Sequence, residues 1–229
     1  MKAAVLLSGG IDSTTCLAMA VKEFGADNVI ALNMHYGQKH EKECLCAKKI
    51  ADYYKVKYYE HDISSAFKYS DCSLLAKSTK EIKHESYAKQ LEELGGQGTV
   101  ETYVPFRNGV MLSIASAIAL SLGAGQVYYG AHADDRAGRA YPDCTIEFFT
   151  SMSEAVKQGT GDLCILKAPL LYMNKTEVVK TGLELKAPYE YTWSCYEGGE
   201  RPCGHCGTCI DRANAFKANG IKDPAICEK

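Results

Sequence analysis

Ala3 to Leu7 is an unbroken apolar run closed by Ser8-Gly9-Gly10, and from Ser13 to Phe24 the apolar positions recur at helical spacing. The opening of the chain thus predicts strand, loop and helix. Val29-Ile30-Ala31-Leu32-Asn33-Met34 reads as a second, buried strand. Glu41 to Tyr54 reads as an amphipathic helix, and Val56 to Glu60 as a third strand rich in aromatic and β-branched residues. Such alternation predicts a parallel sheet. From Asp62 to Thr102 the pattern turns weak and polar and ends in Gly95-Gly96-Gln97-Gly98, which predicts an irregular, mobile insertion.

Periodicity returns in a helix from Asn108 to Leu122, a strand Val127-Tyr128-Tyr129-Gly130, a helix from Thr145 to Val156, and a strand Cys164-Ile165-Leu166 before Pro169. Asn174, with Glu177 three residues on, is an N-cap that opens a helix to Leu185. Beyond Pro188 the composition shifts to aromatic, glycine and cysteine residues, so a boundary is expected near Ala187. It divides an α/β domain, 1–187, from a C-terminal lobe, 188–229.

Composition narrows the function more than the fold. The 229 residues are 46% apolar and 24% charged, as in an ordinary globular protein, and the net charge of -2 provides no basic field for bulk nucleic acid. A small-molecule substrate is favoured. The first residues carry one positive charge and too short an apolar run for a secretory signal, and Val110 to Leu122 falls short of the roughly 20 residues that span a bilayer. The expectation is a cytoplasmic protein with no membrane association. Eleven cysteines, an odd number, then point to reduced thiols and a metal site rather than disulfides. Cys16, Cys44, Cys46, Cys72, Cys144, Cys164 and Cys227 are scattered and read as packing or surface residues.

Two clusters carry candidate chemistry. Ser8-Gly9-Gly10-Ile11-Asp12-Ser13-Thr14 lies between the first strand and first helix, where backbone N–H groups and a helix N-terminus hold anions. The glycines let the main chain approach a phosphate, Ser8, Ser13 and Thr14 add hydroxyl donors, and Asp12 is placed to help hold a magnesium ion (Mg2+). The loop reads as chemically complete without a lysine. It is neither a Walker A loop nor the Gly-x-Gly-x-x-Gly fingerprint. An ordinary strand-to-helix turn, with glycines for geometry alone, is the plain alternative. The second cluster is Cys195-x7-Cys203-x2-Cys206-x2-Cys209, four thiols within fifteen residues, as a closed tetrahedral zinc (Zn2+) site requires. Free loop cysteines and a redox Cys-x-x-Cys pair are the alternatives, and His205 is a possible substitute ligand.

The first string resembles the PP-loop of the ATP pyrophosphatase superfamily. That likeness implies a Rossmann-like sheet (HUP, adenine nucleotide alpha hydrolase-like) with helices on both faces, and ATP bound along Ser8, Gly9, Gly10, Ile11, Asp12, Ser13, Thr14, Thr15, Cys16, Leu17 and Ala18. It also implies that the loop grips the pyrophosphate part of ATP and leaves the α-phosphorus open to a substrate oxygen. Other segments, taken with the loop and the cysteine quartet, resemble the 7-cyano-7-deazaguanine synthase (QueC) family over almost the whole chain. They are His35-Tyr36-Gly37-Gln38-Lys39-His40-x-x-Glu43, Val104-Pro105-Phe106-Arg107-Asn108 and Tyr141-Pro142-Asp143-Cys144. Many members run Asp-x-x-Gly-Tyr-Pro-Asp-Cys-Arg, whereas Asp135 to Tyr141 here holds two further residues and Thr145 replaces the arginine.

The resemblance implies a homodimeric ligase that converts 7-carboxy-7-deazaguanine and ammonia to the nitrile preQ0 through adenylated intermediates, without direct nucleic-acid contact. It implies catalytic roles for Asp12, Ser13 and Arg107, and substrate contacts from Arg107, Asn108, Asp135 and Asp143, the zinc being held by Cys195, Cys203, Cys206 and Cys209. Arg107 suits a carboxylate or a phosphate, while Asp134, Asp135 and Asp143 suit a donor edge, a magnesium ion, or a plain turn or cap. Two other functions fit the clusters: a PP-loop amidating or thiolating enzyme acting on a base or tRNA, and a zinc-ribbon nucleic-acid module with a nucleotide-sensing domain.

Overall fold

The computed structural model describes residues 2–226, except the side chains of residues 87 and 88; Cys227 lies outside the described residues. Five strands, β1 (Lys2–Leu6), β2 (Val29–His35), β3 (Lys57–Asp62), β4 (Ala124–Tyr128) and β5 (Ile165–Lys167), form one sheet in the order β3-β2-β1-β4-β5. All its ladders are parallel. In chain order the helices are α1 (Ile11–Phe24), α2 (Lys42–Tyr54), α3 (Tyr87–Glu93), α4 (Arg107–Ser121), α5 (Ile146–Gly159), α6 (Lys175–Glu184) and α7 (Gly207–Ala218).

Successive strand residues point to opposite faces, so the apolar runs of β1 and β2 each feed two cores. Ala3, Val5, Val29 and Ala31 pack under α1, α2, α6 and α7. Ala4, Ile30, Leu32 and Met34 pack under α4 and α5. Leu17 on one side and Leu112 on the other are fully buried, each contributing roughly 1.5–3 kcal/mol. The fold is therefore the expected Rossmann-like α/β sheet with helices on both faces.

Element borders shift by one to three residues from the sequence pattern, and the shifts have local causes. Gly123, at φ 74°, closes α4 so tightly that β4 begins at Ala124 rather than Val127. β3 runs on to Asp62 because its pairing with β2 continues to His35. The capping box at α6 forms as read: Glu177 N–H donates to Asn174 Oδ1 at 2.9 Å, and Asn174 N–H to Glu177 Oε2 at 2.8 Å.

The segment after β3 is largely irregular, as expected, but it contains the short helix α3, capped by Ser86, and it is packed rather than free. Phe67, Leu74, Leu75, Ile82, Leu91 and Val100 are buried in the α4-side core. Apart from Leu91 on the two-turn helix α3, they lie outside the α-helices and strands, where no helical or strand period reveals them. The C-terminal segment folds back as well. Arg212 of α7 donates from Nε to Asp223 at 2.5 Å and from Nη1 to Thr192 Oγ1 at 2.9 Å. Trp193 N–H reaches the carbonyl of Gly9 at 3.0 Å, tying this segment to the loop after β1. Among the described residues, no helix is long and apolar enough to cross a membrane.

Candidate active site

The strand order reverses between β1 and β4, and in open parallel sheets ligands settle in the crevice beyond the strand ends at that point. Here the crevice is a cavity whose floor includes Ser8, Gly10, Asp12, Ser13, Gly130 and His132. Gly10 is the N-cap of α1 and no side chain caps the helix, so its first turn faces the cavity as an anion site. The loop is braced from within: Ser8 N–H donates to Ser13 Oγ at 3.2 Å, and the two hydroxyls lie 3.1 Å apart. Gly9 sits at φ 93°, and a Cβ there would stand 2.2 Å from the carbonyl oxygen of Glu43. Only glycine lets α2 lie this close to the loop.

One end of the cavity is dense with charge. Lys175, the first residue of α6, places Nζ 2.7 and 2.6 Å from the two carboxylate oxygens of Asp12 and 3.4 Å from His132 Nε2. His132 Nε2 is also 3.4 Å from Asp135 Oδ1, and Asp134 accepts from the backbone N–H of Lys175 at 2.8 Å. Burial works to raise the Asp12 pKa, but Lys175 and His132 outweigh it and hold the carboxyl below its ordinary value. Asp135 lacks so direct a cation, and burial raises it. Burial also lifts Asp211 of α7 to about 6. A lysine beside carboxylates is a donor set that could hold a polyphosphate and a hard cation.

The other end is built on Arg107, at the first position of α4. Phe106 before it adopts the left-handed region at φ 56°, with its N–H donating to the Tyr103 hydroxyl at 2.9 Å and its ring seated over Gly109. The Arg107 guanidinium lies 5.0 Å from the centre of the Tyr36 ring. Burial disfavours its charge, yet Tyr36, Tyr196 and Asp143 more than compensate and hold its pKa above the usual arginine value. Glu43 lines the same end; burial pushes it up to about 7, against the pull of Arg107.

The residues picked out from sequence separate into groups. Ser8, Gly10, Ile11, Asp12, Ser13, Arg107, Asn108 and Asp135 line the cavity. Thr14, Thr15, Cys16, Leu17 and Ala18 are buried along α1, with Thr15 Oγ1 bonded to the Ile11 carbonyl and the Tyr189 hydroxyl at 2.8 and 2.7 Å. Asp143 lies behind the wall, accepting the Asn108 N–H at 2.8 Å and so capping α4. Lys175, His132 and Asp211 are cavity residues that sequence reasoning missed, and Glu43, which closes one of the quoted motifs, lines the cavity without having been given a role. For Lys175 the available signal was its place as first residue after the Asn174 cap.

The sulfur atoms of Cys195, Cys203, Cys206 and Cys209 all lie within 4.8 Å of one another, and those of Cys203 and Cys209 are 4.0 Å apart. Bonds of about 2.3 Å to a tetrahedral zinc require sulfurs about 3.8 Å apart. The N–H groups of Cys203 and Cys206 each donate at 3.3 Å to a cluster sulfur, holding the turn that gathers them. This donor set could hold such an ion. His205 is not of the group and instead stacks edge-on against His84 at 4.1 Å.

A family model described as queuosine biosynthesis protein QueC matches residues 2–220. The chain is 41% identical to the 7-cyano-7-deazaguanine synthase of Archaeoglobus fulgidus over 230 residues, covering 100% of this chain and 91% of the relative. Against the enzyme of that name from Caldicellulosiruptor bescii it is 42% identical over 224 residues, covering 98% and 96%. Among solved structures, the NMN synthetase of Francisella tularensis aligns with a TM-score of 0.52 at 16% identity, covering 96% of this chain and 78% of that one. The U34-tRNA thiolase NcsA of Methanococcus maripaludis aligns at 0.51 and 15%, covering 96% and 65%. At such identities these structures share the fold alone.

Proposed function

Because the chain belongs to the QueC family of queuosine biosynthesis proteins, we propose that it is an ATP-dependent carbon–nitrogen ligase that converts 7-carboxy-7-deazaguanine and ammonia to 7-cyano-7-deazaguanine. The observation that carries the reading at the site is the uncapped N-terminus of α1 and Arg107 facing one cavity. The first suits the phosphates of ATP and the second a substrate carboxylate.

In this reading the Ser8–Ser13 loop and Lys175 would hold the β- and γ-phosphates, and Asp12 and Asp135 would hold a magnesium ion, which would supply positive charge to offset that of the phosphates. Arg107 turns the substrate carboxylate toward the α-phosphorus. A carboxylate oxygen forms a bond to that phosphorus as the bond to pyrophosphate breaks, giving an acyl adenylate. Ammonia adds to the carbonyl carbon and AMP departs with its oxygen, leaving the amide. A second ATP activates the amide oxygen in the same way, and loss of AMP with two protons from nitrogen leaves the nitrile. Positioning and charge neutralisation are the protein's main contributions to both activations. The four thiolates would hold zinc with no open position, which supplies folding energy to the C-terminal segment rather than chemistry.

The test is mass spectrometry of products after incubation with the acid, ATP, magnesium and ammonium. Expected are the nitrile, and AMP and pyrophosphate in about a 2:1 ratio to it, as two activations demand. Release of ADP, or absence of AMP formation when the acid is added, would refute the ligase reading.

A further inference from the structure

The carboxylates of the cavity fall into two sets. Asp12, Asp134 and Asp135 share Lys175 and His132, and Asp211 lies in the same field. Glu43 stands outside that set, and the cation acting on it is Arg107. Its position has a structural cause. The missing side chain at Gly9 lets the first turn of α2 rest on the phosphate loop, with the Glu43 carbonyl where a Cβ would be 2.2 Å away. The Glu43 carboxylate and Arg107 line the same cavity as the phosphate loop, and the arginine charge acts on that carboxylate.

We propose that Glu43 is the base of the amidation, taking a proton from ammonium so that neutral ammonia attacks the activated carboxyl carbon; the inference rests on the ligase reading. The balance of the step requires a proton acceptor, which a cavity carboxylate can supply in place. Ammonium has no lone pair, so one N–H bond must break with its proton passing to a Glu43 oxygen. The freed electron pair forms the C–N bond, and AMP leaves with the pair of the broken C–O bond. The nitrogen sheds a further proton to become the amide and two more as the nitrile forms.

The other acids are less suited. Asp12 is held ionised by Lys175, which weakens it as a base; Asp143 is engaged at the end of α4; and Asp135 and Asp211, though also raised by burial, lie in the field of Lys175 and His132 rather than of Arg107. Burial makes Glu43 a stronger proton acceptor than an ordinary carboxylate, poised near neutral pH where a general base works best. Arg107 from α4 and Tyr36 beyond β2 face it, and Cys44 and Cys46 flank it on its own helix.

Glu43→Gln keeps the shape and an acceptor oxygen but cannot take the proton. Three readouts on the full chain separate the possibilities: acid-dependent exchange of labelled pyrophosphate into ATP, product formation from ammonium, and hydroxamate formation from hydroxylamine, which is uncharged at neutral pH. E43Q should keep exchange within about 3-fold, lose ammonium-dependent product by about 100-fold or more, and retain hydroxamate formation. Loss of all three together would make Glu43 a binding or packing residue, and unchanged turnover with ammonium would remove it from the chemistry; either result overturns the proposal. Should E43Q fail to fold, Glu43→Asp is read the same way, with ammonium turnover depressed and exchange kept. Absence of acid-dependent exchange in the unaltered protein would instead strike the ligase reading itself.

Discussion

Replacing Lys175 by methionine keeps most of the side-chain stem and removes the charge that faces Asp12. At 2.6 Å, with an effective dielectric of about 20, the direct attraction is about 6 kcal/mol. Much of this offsets the cost of taking both groups out of water. Breaking a buried pair by deleting one partner costs about 3–5 kcal/mol, and these side chains remain 19% and 25% exposed. Screening by that solvent, with His132 still 3.9 Å from Asp12, brings the expected loss to about 2–3 kcal/mol at neutral pH. For a chain of this length that lowers the melting temperature by about 5–10 °C.

The pH dependence identifies the cause. In the unaltered protein the Asp12 pKa is held below its ordinary 3.8, so its stabilisation is present above that value and fades as pH falls through the lowered one. In K175M the burial remains while the largest opposing effect is gone, so the folded-state pKa rises. Protonated Asp12 then fits the native state, and the variant loses stability as pH climbs through the raised value. Urea titrations without nucleotide at pH 7.5 and at about pH 4.5 should therefore show a deficit that is large at the first and shrinks at the second. An equal deficit at both would attribute the loss to packing, and no deficit at neutral pH would refute the electrostatic account. Product formation should also fall by about 100-fold, since the phosphates lose their cation.

Gly9→Ala should be severe, combining a left-handed φ of 93° with a Cβ 2.2 Å from a backbone carbonyl, and we expect a loss of more than about 2 kcal/mol and of ATP binding. Gly220→Ala, in the left-handed turn that ends α7 at φ 70° with nothing within 4 Å, should cost only about 1 kcal/mol; equal melting temperatures for the two would show that the α2 contact does not constrain the loop. Metal analysis of the purified protein should find about one zinc per chain, and Cys206→Ser should lose it with a clear drop in melting temperature. A strong chelator should reproduce that drop in the unaltered protein, and a melting curve indifferent to both would argue against a structural metal.

Local contiguity decided what could be read in advance. Ser8 to Ser13 and the four cysteines each lie within a short stretch of chain, so spacing alone reports which atoms can converge. The alternation of apolar runs likewise reported a parallel sheet, because strands buried on both faces need apolar residues at successive positions. That alternation leaves open which strand lies beside which. Lys175 reaches Asp12 only because β4 pairs with β1, β5 pairs with β4, and the turn after β5 then starts α6 beside α1. Its capping box announced where α6 begins and said nothing of what its first residue would face. His132 depends on the same pairing, since it follows β4 and its approach needs Gly130, where a Cβ would crowd Asp12 at 3.0 Å. Glu43 depends on the packing of α2 against Gly9, a contact between backbones that leaves no side-chain pattern. Beside the loop that read as complete without a lysine, the fold thus sets ionisable residues that follow three different strands, Glu43 after β2, His132 after β4 and Lys175 after β5. A catalytic site assembled at a strand-order reversal draws its charges from elements whose adjacency is a property of the sheet, so its phosphate loop is legible long before its acid–base partners are.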